Sequence, residues 1–323
     1  MKKKIALLTA GIMALAMASL TVSAEEFPSK TMSIVCPYGA GGGTDVALRI
    51  LAECGQDQFG QTINVENKTG GSGSIGLVET LNAAHDGYTL GTASVDLITL
   101  PLLGLAPEEV TRDAFDTICT VNAEPAAIIV SADSEYQTLE DFVQAAVDNP
   151  GSIQLANAGM GNIWHLSAIG VELETGAVFN HIPYADGAAQ AITGVLGGHV
   201  DAVVCSIPEA AANIESGELK VLGVAANERL ADYPDVPTYK ECGIDLTIMA
   251  VRGLCVAADT PDDVKEVLKS GFEEVINSDA CKEKVEAAGM TYMPLNADDT
   301  NALLDEMSGS LEEIITKYME SNS

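Results

Sequence analysis

Glycines 39, 41, 42 and 43, in the stretch PYGAGGGTDVALRILAECG, set a run of bare main chain between an apolar segment and residues whose apolar side chains recur at helical spacing. Without Cβ atoms such a turn takes positive φ readily and brings its N–H groups close to a ligand. Thr44 or Gly43 then starts a helix whose positive dipole end faces the same point. The chemistry this offers is recognition of an anion by main-chain donors. GMGNIWH, from Gly159 to His165, and PYADG, from Pro183 to Gly187, repeat the arrangement of glycine turn and helix start. One such turn is ordinary punctuation between strand and helix, whereas three at corresponding places point to a shared ligand.

Motifs for covalent chemistry are incomplete by comparison. Gly39 and Gly41, with Glu66 ending the next strand, imitate a dinucleotide fingerprint, but Thr44 stands where the third glycine belongs. GGSGS closes on Ser74 where a hydrolase elbow needs glycine. His85 lies in a turn, His181 precedes a strand and His199 begins one. His165 follows GMGN, where pairing with a ligand and local hydrogen bonding are both open. Trp164 beside it reads as core. Seven cysteines, an odd count with no C-x-x-C pair, read as small buried hydrophobes, and no histidine spacing suits a metal. No cofactor is expected. An exported Rossmann-like oxidoreductase or a hydrolase acting on a small acid is the alternative reading.

The elements that hold these turns repeat one unit of apolar strand, glycine turn and amphipathic helix. Residues 32–36 form the first strand, and Val46, Ala47, Ile50, Leu51 and Cys54 share one helical face. TINVEN leads into a helix with Ile75, Val78 and Leu81 as its buried stripe, and the pattern restarts beyond Val121. This alternation predicts an α/β fold, a two-lobe clamshell of the periplasmic-binding-protein kind. Each lobe is expected to be a doubly wound, mainly parallel sheet flanked by helices. The chain is expected to cross between lobes near 122 and 225, with lobe 1 discontinuous (25–122 plus 226–323) and lobe 2 over 123–225. Ligands in open α/β sheets sit beyond the carboxyl ends of the strands, and facing sheets make those ends converge.

The ends and the charge bound the setting. Lys2, Lys3 and Lys4, the apolar run from Ile5 to Leu20 and the small residues before Glu25 read as a signal peptide, residues 1–24, cleaved on export to the periplasm or another extracytoplasmic space. The formal charge of −31 repels nucleic acid and anionic membranes, so an anion site must rely on local donors.

Taken together, PYGAGGGTDVALRILAE, VENKTGGSGSIG, DGYTL, IPYADGAAQAITGVLGGHVD and ERLADYPDVPTYKECG, with the spacing to RGLCVAADTP, resemble the substrate-binding proteins of tripartite tricarboxylate transporters, the Bug-type family. The resemblance spans nearly the whole mature chain. It implies a monomeric extracytoplasmic protein, not an enzyme, that captures a small carboxylate and delivers it to the membrane permease subunits of such a transporter. The ligand would be a tri- or dicarboxylate, an acidic amino acid or a related organic acid. It also implies the ligand-holding positions: Tyr38, Ala40, Gly41, Gly42, Gly43, Thr44 and Asp45 in the first loop; Gly159, Gly161 and Asn162 in the second, beside His165; and Ser94, Tyr184 and Asp186 on the walls. Asp45 is open between capping its helix and meeting a ligand amino group. Arg252 is a cationic candidate, and Arg49 is expected in a structural ion pair. Thr69, Val251 and Ala257 depart from the family pattern, and Val251 removes an aromatic wall.

Overall fold

The computed structural model describes residues 27–185 and 187–321. The expected signal peptide and Asp186 lie outside them. Along the chain β1 (Met32–Cys36) leads into α1 (Gly43–Phe59), β2 (Ile63–Asn67) into α2 (Ser74–Asn82) and β3 (Thr89–Ala93) into the short α3 (Asp96–Leu102). β4 (Phe115–Pro125) and β5 (Ala127–Ser131) follow with one residue between them. Next come α4 (Leu139–Asp148), β6 (Gln154–Asn157), α5 (Ile163–Thr175), β7 (Asn180–Pro183), α6 (Ala188–Leu196), β8 (Ala202–Cys205), α7 (Ile207–Glu215) and β9 (Leu219–Val224). β10 (Met249–Ala257), α8 (Asp262–Ile276), α9 (Asp279–Ala287), β11 (Tyr292–Leu295) and α10 (Ala297–Ser321) complete the chain.

The strands form two sheets, ordered β11-β4-β10-β3-β1-β2 and β7-β6-β8-β5-β9, each flanked by helices. Parallel pairing is confined to β1 with β2 and β3, and to β6 with β7 and β8. β10 and β11 pair antiparallel with their neighbours in the first sheet, as β5 does with β8 and β9 in the second. The sheets are therefore mixed where a mainly parallel pairing was expected. The reason is topological: β4 leaves the first sheet where β10 enters it, so the two run in opposite senses. A parallel neighbour would need a helical crossover between them. At the junction Ala126 N donates to Ile248 O and Ala225 N to Ala126 O, at 3.0 and 2.7 Å, which ties the crossing segments side by side.

Ile34, Leu48, Leu51, Leu90, Leu254 and Phe272 pack one core, and Ile128, Phe142, Leu155, Trp164 and Val203 belong to another. Tyr239, Ile244 and Leu246, between β9 and β10, join the second core, and so do Leu304, Leu311 and Ile315 of α10. That last helix begins against the first sheet, where Thr117 Oγ1 donates to Ala297 O at 3.1 Å, so it spans both lobes. All seven cysteines are free thiols, five of them buried.

Candidate functional site

The glycine turn after β1 is braced from within. Gly41, at φ 82°, carries the positive φ, and its N–H donates to Asp45 Oδ2 at 2.9 Å. Asp45 also accepts from Arg49 Nε at 2.9 Å and Asn67 Nδ2 at 2.8 Å. Burial raises its carboxyl, but these hydrogen bonds prevail and hold it below the ordinary aspartate range. Gly42, expected at positive φ, instead has φ −75° and is the N-cap of α1. Replacing Asp45 with alanine removes the brace and strands Gly41 N–H and Asn67; it is expected to cost about 1–3 kcal/mol of stability. Because the native pKa is depressed, the contribution of Asp45 is present above its unfolded pKa and lost as pH falls through the folded one. Chemical denaturation of wild type and variant at pH 7 and pH 3 checks this, the gap closing at the lower pH.

Beyond the brace, helix starts from both lobes border one cavity. Tyr38, Gly42, Gly43, Thr44, Ser94, Asp96 and Arg252 line it from the first lobe, and Asn162, Trp164, Gly187, Ala188 and Glu209 from the second. The centre of a water-sized sphere can reach about 40 Å³ of it, against roughly 10–15 Å³ for a single water. The space suits a small molecule, and a larger one requires the lobes to part. α1 and α6 begin at Gly42 and Gly187, glycines with no side chain of their own to cap the first turn; Glu209 takes the Gly43 N–H, and the remaining first-turn N–H groups, without intrahelical acceptors, are left at the cavity. Asn162 does cap α5, accepting from Trp164 N at 3.0 Å.

A hydrogen-bonded chain crosses the floor. Asn162 Nδ2 donates to the Tyr38 hydroxyl at 2.7 Å, and that hydroxyl donates to Asp96 Oδ2 at 2.8 Å. Ser94 Oγ donates to the same oxygen at 2.9 Å. Asp96 Oδ1 is buried and has no partner. Burial pushes the Asp96 carboxyl up to about 6, against the hydrogen bonds from Tyr38 and Ser94. The Tyr38 hydroxyl is pushed well above its usual range by burial and then by the Asp96 charge, so it stays neutral.

A second contact joins the lobes. Glu209 Oε1 accepts from Gly43 N at 3.2 Å, while Oε2 accepts from Ser206 N and Oγ at 3.0 and 2.8 Å. Arg252 Nη2 lies 3.6 Å from Glu209 Oε2, with both side chains buried, and Arg252 Nη1 donates to Asn122 Oδ1 at 2.7 Å. A carboxylate of the protein itself thus occupies one donor at the start of α1.

Of the positions expected to hold ligand, Tyr38, Gly42, Gly43, Thr44, Ser94 and Asn162 lie on the cavity wall. Ala40 and Gly41 are exposed on the outer side of the loop, and Asp45 is buried within it. Gly159, at φ 115°, lets the lobes approach, since a Cβ there would meet Ser72 Oγ at 2.9 Å. Gly161 N donates to His165 Nδ1 at 3.0 Å. His165 lies behind the wall against the rings of His181 and Tyr318. Burial, and then the nearby His181, push it down to about 3, so it is neutral. Tyr184 packs against α6, where a Cβ on Gly194 would lie 2.5 Å from its hydroxyl. Arg49 pairs with Asp45 at 2.9 Å. Asp96, Glu209, Trp164 and Gly187 border the cavity without having been assigned to it from sequence. Asp96 comes three residues after the end of β3, so the carboxyl-end rule could have found it. Glu209 sits three residues after Ser206, a capping-box spacing that reads as structural. Among the described residues no three His, Cys, Asp or Glu side chains gather as a metal site.

Comparison with known proteins places this geometry among relatives. Residues 47–319 match the family described as the tripartite tricarboxylate transporter family receptor. The chain is 31% identical to Protein BugT of Bordetella pertussis over 301 residues, 92% of this chain and 90% of that protein. A TctC solute-binding protein from Polaromonas, solved without ligand, is 35% identical with a TM-score of 0.68, over 90% of this chain and 99% of the other. MatC from Rhodopseudomonas palustris, solved with bound malate, shares the fold at a TM-score of 0.81 and 22% identity, over 90% of this chain and all (100%) of the other.

Proposed function

This chain belongs to the tripartite tricarboxylate transporter receptor family, and from that premise we propose that it captures a small carboxylate between its lobes, outside the cytoplasm, and hands it to the membrane permease of such a transporter. The observation that carries the reading is the pair of helix starts with glycine N-caps, α1 from one lobe and α6 from the other, at a single cavity. Donors fixed in the main chain and aided by helix dipoles recognise a carboxylate without needing a lysine or arginine. This suits a chain whose overall charge repels anions. The malate held by MatC on the same fold supports the ligand class. The ligand rests on the starts of the two helices at Thr44 and at Ala188 and Ala189, since the Gly43 and Gly187 N–H groups are taken by Glu209 and Tyr184, with Tyr38, Ser94 and Asn162 around it. Binding without chemistry is the activity this reading assigns, in keeping with wall hydroxyls of Tyr38 and Ser94 that are engaged on Asp96.

A thermal-shift screen of organic and amino acids tests this. Ligand at a hundred times its dissociation constant adds about 2.7 kcal/mol of stability, a clear rise in melting temperature. The bound acid is expected to be recovered chemically unchanged after long incubation. Turnover of any bound acid would replace this reading with the enzymatic one.

A further inference from the structure

Three charged side chains border the cavity, and two of them pair. Glu209 and Arg252 lie 3.6 Å apart, and Glu209 takes hydrogen bonds from Gly43 and Ser206 as well. Asp96 is different. It is 2% exposed, its Oδ2 is held by two neutral hydroxyls, and its Oδ1 has no partner although it is buried. A buried charge in a folded protein is normally matched by an opposite charge or by hydrogen bonds to each oxygen. Asp96 lies in the first turn of α3, where the helix dipole favours a negative charge, but among the described residues no cation pairs with it and nothing bonds to Oδ1, and the residue lines the cavity where a ligand would lie.

We propose that the cleft takes an α-amino acid, whose ammonium group completes Asp96 at Oδ1 while its carboxylate rests on the first-turn N–H groups left open at α1 and α6, in preference to di- or tricarboxylates that lack an amino group. The proposal rests on the carboxylate-binding reading above and narrows it. Arg252 also has a buried nitrogen, Nε, without a partner, but its charge is shared with Glu209, so a dicarboxylate would bring two negative charges against Asp96 with only an already paired cation to meet them. An α-amino acid brings one charge of each sign, and each has a partner waiting. A hydroxy acid can donate a hydrogen bond to Oδ1, yet it leaves the buried charge uncompensated.

The test is calorimetric. The purified protein is titrated with the twenty standard amino acids and with succinate, malate and citrate. The tightest amino acid is then compared with its des-amino and α-hydroxy counterparts, on wild type and on Asp96→Asn. The expected result is that an amino acid binds best and loses at least tenfold in affinity on Asp96→Asn, while its des-amino counterpart binds that variant no more weakly than wild type. Succinate, malate, citrate or the α-hydroxy acid binding more tightly than any amino acid would overturn the proposal and leave carboxylate binding intact. No saturable binding by any of these acids would bring down the carboxylate reading itself.

Should Asp96→Asn fail to fold, wild type alone decides through pH. Around Asp96 stand the neutral Tyr38 and Ser94 hydroxyls, with Glu209 and Arg252 elsewhere on the cavity wall. Ammonium binding needs Asp96 ionised, so with its carboxyl near 6 the amino-acid affinity is expected to fall about fourfold from pH 8 to 5.5. The des-amino acid, relieved of repulsion as Asp96 protonates, is expected to bind no worse at pH 5.5. Equal pH responses of the two would contradict the assignment.

Discussion

Replacing Arg252 with methionine is expected to destabilise the unliganded protein by about 3–5 kcal/mol, because it leaves Glu209 buried without its cation. Arg252 is 2% exposed and the Glu209 side chain 7%, so solvent cannot take over the lost partner. The guanidinium also leaves Asn122 Oδ1 without the donor it has at 2.7 Å. Changing both members of the pair to methionine removes charge with charge, and it is expected to recover most of the loss, since buried ion pairs replaced by apolar groups are often near neutral. Urea denaturation of the two single variants and the double variant closes the cycle. A loss below about 1 kcal/mol for Arg252→Met, or strict additivity in the double variant, would mean the two groups do not act as a pair.

Gly43→Ala is expected to weaken ligand binding by at least about tenfold, equivalent to roughly 1.4 kcal/mol. A Cβ there would stand 2.5 Å from Arg252 Nη2 and 2.8 Å from its Cζ, with Glu209 Cγ at 3.2 Å. The guanidinium is hemmed in by Asn122, Ser206 and Glu209, so the start of α1 must shift instead, carrying its N–H donors away from the cavity. Gly42→Ala is the internal control. Its φ of −75° is open to any residue, and its Cβ would meet only Gly39 O, at 3.4 Å. That variant is expected to bind within twofold of wild type. Calorimetry on the two alanine variants separates them, and equal effects would mean that the glycines serve the turn alone.

Much of this was legible in the residues, and the gaps have physical causes. Strand-turn-helix periodicity gave the two flanked sheets and the turns that face each other, because apolar spacing and glycine position act locally. Pairing sense was not legible at β4, β5 and β10, since direction there follows from where the chain crosses between sheets, which periodicity does not encode. Tyr239, Ile244 and Leu246 lie between β9 and β10, and no local signal says which core such a connection will cover. Within the cleft, main-chain donors left a clear trace as glycine runs. Arg252 was open only as a cationic candidate and Asp96 and Glu209 went unassigned, because a lone acid after a strand, an arginine inside a strand and a glutamate in a capping box each look ordinary until the lobes bring them together. Gly42 shows the opposite error: four glycines suggested a general need for positive φ, yet Gly41 alone takes it within that run, and Gly43 is small because Arg252 lies against it.

The central claim, that ligand lies between the lobes at the start of α1, is tested most directly by the single tryptophan. Trp164 is the only one in the chain; it is 3% exposed and borders the cavity opposite Gly43 and Thr44. Titrating the tightest-binding acid while following tryptophan emission is expected to give a saturable one-site change whose midpoint matches the calorimetric dissociation constant, shifted at least tenfold in Gly43→Ala. Calorimetric binding that saturates while Trp164 emission and its quenching by acrylamide stay unchanged would place the ligand outside this cleft and contradict the account.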